Sequence, residues 1–129
     1  EKLRPEICVK GYHEVVRTAV AAKLRAESED LLDIDFMFVE ADTFRGVQKE
    51  SKAETFQGTQ FLVPKPEHLI ALKLHAIKQQ PSIRELKDLN DIVELIKANQ
   101  IDVSSGNFKS LCLKFGTPEL YQKILQYAQ

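Results

Sequence analysis

Hydrophobic and polar positions change their period part-way along the chain. Up to about residue 65 they fall in short β-branched and aromatic stretches, and beyond it they recur at helical spacing. Tyr12 to Thr18 follows Gly11, is β-branched, and reads as a strand. Val20 to Ala26 reads as a second strand, weakened by its alanines. Glu27-Ser28-Glu29-Asp30 is a polar turn. Leu31 to Val39, "LLDIDFMFV", is the most apolar run, and its length and β-type content predict a strand buried on both faces. A short helix is predicted over 42–50 with Asp42 as its N-cap. The segment 53–63, "AETFQGTQFLV", reads as a hairpin turning at Gln57-Gly58. Residues 1–10 are mixed and fit the end of a helix.

Pro64 and Pro66 close the β part. Pro66 suits the first turn of a helix, with Glu67 near the positive end of its dipole. That helix is predicted to run to about Gln79, where Pro81 and Ser82 break it. A second runs from about Ile83 to Ala98. Asp102 or Ser104 caps a third, which ends at Gly116, and Thr117-Pro118-Glu119 opens a fourth. The expected architecture is α+β: a small mixed β-sheet in the N-terminal half packed by a helical C-terminal half. One domain is expected over 1–129, mainly strands to residue 65 and helical over 66–129.

Composition narrows the function classes. Hydrophobic residues make up 43% of the 129, enough for one core. Lysine and arginine number 18 against 19 carboxylates, a formal net charge of −1. Scattered, balanced charge leaves no electrostatic footprint for nucleic acid or an anionic membrane. No apolar run approaches the roughly 20 residues of a membrane helix, and no secretory pattern opens the chain. Cys8 and Cys112 lie far apart without C-x-x-C spacing, which fits reduced thiols in a cytoplasmic protein. The chain opens on Glu1 and its only methionine is Met37, so further residues are expected to precede it in the translated product.

Candidate chemistry gathers in three places. Asp33 and Asp35 lie two apart in the apolar run, and on a strand both point to one face. Carboxylates are expensive to bury, and clusters of them hold magnesium. The pair equally suits a strand end that meets water or a backbone donor. On the helix 66–79, Leu69, Ile70, Leu72, Leu74, Ala76 and Ile77 form an apolar arc with Lys73 at its middle. A lysine there must snorkel, pair with a carboxylate, or reach into a cleft, where its charge would suit a polyphosphate. His68 and His75 are two turns apart, roughly 10 Å, too far to share a metal, and read as solvated surface side chains. The helix 83–98 has an apolar stripe of Leu86, Leu89, Ile92, Val93 and Ile96. It also holds the i,i+4 pairs Arg84–Asp88 and Lys87–Asp91, with Asp88 at the margin of the buried stripe. No Ser/His/Asp set, Cys/His pair, Walker loop or G-x-G-x-x-G is present.

"GYHEVVRT", "DIDFMF", "VPKPEHLIALKLHAI", Pro81 and "RELKDLNDI", in this order, resemble a family of bacterial and archaeal nucleotidyltransferases. That family includes minimal nucleotidyltransferases and toxins of toxin–antitoxin and abortive-infection systems. The resemblance covers about residues 11–129, and its most specific parts are "PEHLIALKLHA" and "KDLND" at their mutual spacing. It implies a mixed sheet flanked by helices, and transfer of a nucleotidyl group from a nucleoside triphosphate to a hydroxyl, on a tRNA or protein acceptor. It also implies magnesium held by three carboxylates, two from a front motif, G-S followed by D-x-D, and one from a later strand. By position Asp35 matches that third, catalytic carboxylate, with Asp33 the other candidate metal ligand. Lys73 matches the family's helix lysine, Lys87 and Asp88 match its K-D pair, and Arg84 lies where it would help with phosphates. The chain departs from the family in having no G-S pair and no D-x-D before the Asp35 strand. A lone Asp35 cannot supply the metal geometry, so the 129 residues by themselves are expected to be inactive. Two readings follow: the later part of an active enzyme, or an inactive relative kept as a binding or regulatory partner, dimerising across an exposed sheet edge. A nucleic-acid-binding domain unrelated to nucleotidyl transfer is disfavoured by the neutral charge.

Overall fold

The structure, a computed structural model, describes Ile7 and residues 10–128, the side chain of Ile83 excepted. The helix end predicted over 1–10 thus lies almost wholly outside the described residues. Three strands open the described chain: β1 (Tyr12–Arg17), β2 (Ala21–Ala26) and β3 (Ile34–Met37). They form one antiparallel sheet in the order β1-β2-β3. The connections are short turns, which antiparallel pairing allows and parallel pairing does not. Ala22 stands opposite Phe36 and Leu24 opposite Ile34, so these four share one face, and Ala22 and Leu24 are buried. The other face carries Lys23 opposite Asp35. A bulge between Glu14 and Val16 interrupts β1, and the Arg17 guanidinium lies 5.3 Å from the centre of the Phe38 ring.

The strand predicted over 31–39 is shorter than expected and is not buried on both faces. Only Ile34–Met37 pairs, and β3 is an edge strand of this sheet, so one ladder of β2 satisfies it. Leu31 and Leu32 precede it and are exposed. A continuous apolar run has no alternation with which to report its exposed face.

Next comes α1 (Ala41–Lys49). Asp42 does not cap it: it lies inside the first turn and pairs with Arg45 one turn along. The hairpin β4 (Lys52–Phe56) and β5 (Thr59–Val63) follows as a separate two-stranded sheet. Gln57 and Gly58 both have positive φ, 49° and 78°, the type I′ geometry whose twist matches that of paired strands. The chain is α+β, as its patterning implies, with all of its described strand pairing antiparallel.

Four helices complete the described residues: α2 (Pro66–Gln79), α3 (Pro81–Asn99), α4 (Gly106–Phe115) and α5 (Pro118–Tyr127). The boundaries of α2 are those of the sequence reading. Pro81 starts α3 and does not merely break the chain, since its missing N–H and fixed φ suit a first helical position. The cap of α4 is Ser105, whose hydroxyl accepts from the Phe108 N–H. Asp102 instead accepts from the Ser104 N–H and hydroxyl, building the turn that leads into the helix. Thr117 caps α5 by accepting from the Leu120 N–H. Gly116 ends α4, and a Cβ there would lie 3.0 Å from both the Cys112 carbonyl oxygen and Leu74 Cδ2. The core of these helices joins Ile70, Leu74 and Ile77 of α2 to Ile92 and Ile96 of α3, Phe108 and Cys112 of α4, and Leu120, Tyr121 and Ile124 of α5. Leu86, expected in the buried stripe of α3, is 90% exposed.

By contacts the chain divides into two compact units, Glu1–Arg45 and Gly46–Gln129. The helical core and the hairpin belong to the second. No described helix is long and apolar enough to cross a membrane.

Candidate functional site

The second unit brings three of the sequence-selected residues together. Lys73, near the middle of α2, extends its ammonium toward the facing side of α3. Nζ lies 2.6 Å from Asp91 Oδ2 and 3.2 Å from Asp88 Oδ1. Arg84, one turn before Asp88 on α3, places NH1 3.6 Å from Asp88 Oδ2. The cluster therefore holds two cations and two carboxylates at the seam between two helices. Of the three options for a lysine within an apolar arc, pairing with carboxylates is the one realised.

Burial grades the members of this cluster. The Asp88 side chain is 4% exposed, Lys73 21% and Asp91 37%. Asp88 alone among charged residues belongs with the described buried set. Its Oδ2 is buried without a hydrogen-bond partner among the described residues, so the Arg84 charge nearby is its main compensation there. For Lys73, burial opposes the charged form. The hydrogen bond and charge of Asp91 and those of Asp88 outweigh that penalty and raise its pKa above the ordinary 10.5, so it stays protonated at neutral pH.

Asp91 is the member that the sequence reading missed. Spacing alone pairs it with Lys87 on its own helix, whereas the fold turns it toward Lys73 eighteen residues earlier. The signal was present in the helical period: Asp88 and Asp91 are three apart, on one face. Lys87, the remaining basic candidate on α3, is exposed.

Asp33 and Asp35 belong to the first unit. Asp33 lies just before β3 and not within it. Oδ1 accepts from the Ala26 N–H at 3.1 Å, and Oδ2 lies 3.3 Å from Lys23 Nζ. The Ala26 hydrogen bond, aided by Lys23, holds its carboxyl below the usual carboxylate value against a small opposing effect of burial. This is the strand-end reading of Asp33, with a backbone donor and a lysine as its partners. Asp35 sits inside β3 on the exposed face, opposite Lys23. Among the described residues no group of three His, Cys, Asp or Glu side chains is placed to hold a metal ion. The described residues do not by themselves fit a magnesium site, because Asp33 is engaged and no further described carboxylates converge on Asp35.

The histidines divide. His75 is exposed, as expected. His68 is not a solvated surface side chain: it is half-buried, its Nδ1 has no hydrogen-bond partner among the described residues, and Nε2 lies 3.9 Å from Glu50 Oε1. Glu50 is held more closely by Lys65, at 2.6 Å. The first turn of α2 thus buries what helical spacing alone assigned to the surface.

No protein-family model matches the chain, and no curated protein matches it.

Proposed function

We propose that the chain is a nucleotidyltransferase-fold protein whose α2–α3 helix pair holds the phosphates of a nucleoside triphosphate for transfer to a hydroxyl of a tRNA or a protein. The observation that carries this reading is the half-buried Lys73 held in the charged state by Asp88 and Asp91. The resemblance of "KLHA" and "KDLND" to the family's lysine and K-D pair supports it. Phosphate binding follows from the burial gradient of the cluster. Asp88 is buried and stays as the fixed counter-charge, while Asp91 is the exposed partner that an incoming phosphate oxygen replaces. The exchange keeps Lys73 charged and hydrogen-bonded throughout. Arg84 neutralises Asp88 on the other side. Transfer itself needs metal-holding carboxylates beyond Asp33 and Asp35, and no step through magnesium is derived from the residues present.

Calorimetric titration of ATP into the full protein, with and without magnesium, tests this reading. Lys73→Ala is expected to weaken binding roughly 10- to 100-fold, the value of a charge-assisted hydrogen bond. Unchanged ATP affinity in Lys73→Ala sinks the proposal. A second reading, an inactive module that binds without transfer, draws on the engagement of Asp33 by Ala26 and Lys23. Magnesium-independent binding with no labelled nucleotide transferred to any acceptor selects it.

A further inference from the structure

The charges of the α2–α3 cluster cancel, Lys73 and Arg84 against Asp88 and Asp91. A cluster in that state has no surplus positive charge with which to draw in an anion. Its two carboxylates differ in how firmly they are held. Asp88 is buried, with Lys73 on one oxygen and Arg84 beside the other. Taking it off Lys73 leaves a charge with no route to water. Asp91 is partly exposed, and a rotation of its side chain returns its carboxylate to water. Lys73 also has a donor to spare. An ammonium carries three N–H groups, and among the described residues Asp91 and Asp88 take two. An anion on the third, with Asp91 still 2.6 Å from the nitrogen, sets two charged oxygens on one ammonium. Such oxygens lie roughly 4–5 Å apart, where like charges repel strongly in a half-buried place. Anion binding and the Asp91 contact therefore oppose each other.

We propose that Asp91 is a built-in competitor for the phosphate ligand, an autoinhibitory contact that occupies Lys73 until a polyphosphate displaces it. The proposal rests on the nucleotide reading of Lys73 and adds a sign to it: the carboxylate closest to the lysine lowers the affinity of the site. A triphosphate brings several negative charges and gains by the exchange. A singly charged anion replaces a carboxylate by its equal and gains nothing. An ion pair with a purely structural role carries the opposite sign, because loss of Asp91 then leaves Lys73 less firmly placed for any ligand. The release of Asp91 also explains how one cluster serves two states. Asp88 and Arg84 keep the helices together in both, while only the exposed carboxylate moves.

ATP is titrated calorimetrically into the full protein as wild type, Asp91→Asn, Lys73→Ala and Glu54→Gln. Asparagine keeps the size of the side chain and Lys73 keeps Asp88, so Asp91→Asn folds, which far-UV circular dichroism verifies. It is expected to bind ATP roughly 3- to 30-fold tighter than wild type, the worth of a partly exposed ion pair that no longer has to be broken. Glu54→Gln removes the same charge from the exposed strand β4, and is expected to leave the affinity unchanged. Equal or weaker binding by Asp91→Asn, beside a Lys73→Ala that weakens it, overturns the competitor and leaves the nucleotide reading standing. A gain in Glu54→Gln as large as that in Asp91→Asn also overturns it, since net charge is then the cause. No ATP binding by any of the four proteins, or binding that Lys73→Ala leaves unchanged, overturns both.

Discussion

Removing the Asp88 charge by Asp88→Asn tests whether the α2–α3 seam is held by its ion cluster. The carboxylate is 4% exposed and lies between Lys73 at 3.2 Å and Arg84 at 3.6 Å. Breaking one side of a fully buried ion pair costs about 3–5 kcal/mol, because the surviving charge is left uncompensated. Here the survivors are better placed: Lys73 keeps Asp91 and is 21% exposed, and Arg84 is partly exposed. A loss of about 1–3 kcal/mol is therefore expected. The unit Gly46–Gln129 contains 129 − 45 = 84 residues. For a domain of that size 1 kcal/mol corresponds to roughly 4–8 °C, so Tm should fall by about 5–20 °C. Lys73→Met strips Asp88 of its nearest cation and should cost a similar amount. The double variant should cost about 1–2 kcal/mol less than the sum of the singles, because the second change removes the charge that the first exposed. Urea unfolding followed by circular dichroism at the helix band measures all three. Single losses below about 0.5 kcal/mol, the range of ordinary surface substitutions, would refute the reasoning, as would strict additivity.

Three further outcomes follow from the same helices. Gly116→Ala should destabilise by about 1–3 kcal/mol, since its Cβ meets the Cys112 carbonyl at 3.0 Å and backbone must shift; thermal melting measures it. The Cys112 thiol is fully buried and pushed up to about 12. In a Cys8→Ser background it should react with a disulfide reagent at neutral pH only in urea, and rapid labelling of the folded protein contradicts that burial. Because the Lys73 pKa is raised above 10.5 on folding, its contribution is fully present below that pH and lost as pH rises through the higher folded value. The stability gap between wild type and Lys73→Met should be constant to about pH 10 and narrow above it; a gap that widens there reverses the sign of the argument.

Legibility in the sequence followed how local each cause was. Helix α2 was readable at both ends because Pro66 and the approach to Pro81 act on their own turns. The β4–β5 turn was readable because two positive φ values demand residues such as glycine at the second position. The extent of β3 was not readable, because the exposure of Leu31, Leu32 and Met37 depends on which strands pair, and apolar content is silent on that. The exposure of Leu86 was lost for the same reason: helical period places it on the stripe, but the position of α5 decides how far coverage reaches. At the candidate site, the odd position of Lys73 was visible from periodicity, and the side position of Asp88 was noted. That Asp91 would cross to α2 required the packing angle of two helices, which spacing within one helix cannot supply. Asp33 was visible as an oddity, but its partners, the Ala26 N–H and Lys23, come from another strand.

The buried cluster of the helices draws every member from residues 70–124, and it forms as α2 packs on α3 and α4, α4 on α5, and α3 on α5. The connections within the α2–α3 and α4–α5 pairs are short, so little chain entropy opposes closing either. The α2–α3 hairpin, closed around Gln80 and cross-linked by Lys73, is the natural nucleus on which α4 and then α5 condense. The helical stretch is thus expected to regain its circular dichroism before the strands pair after dilution from denaturant, which stopped-flow measurement checks.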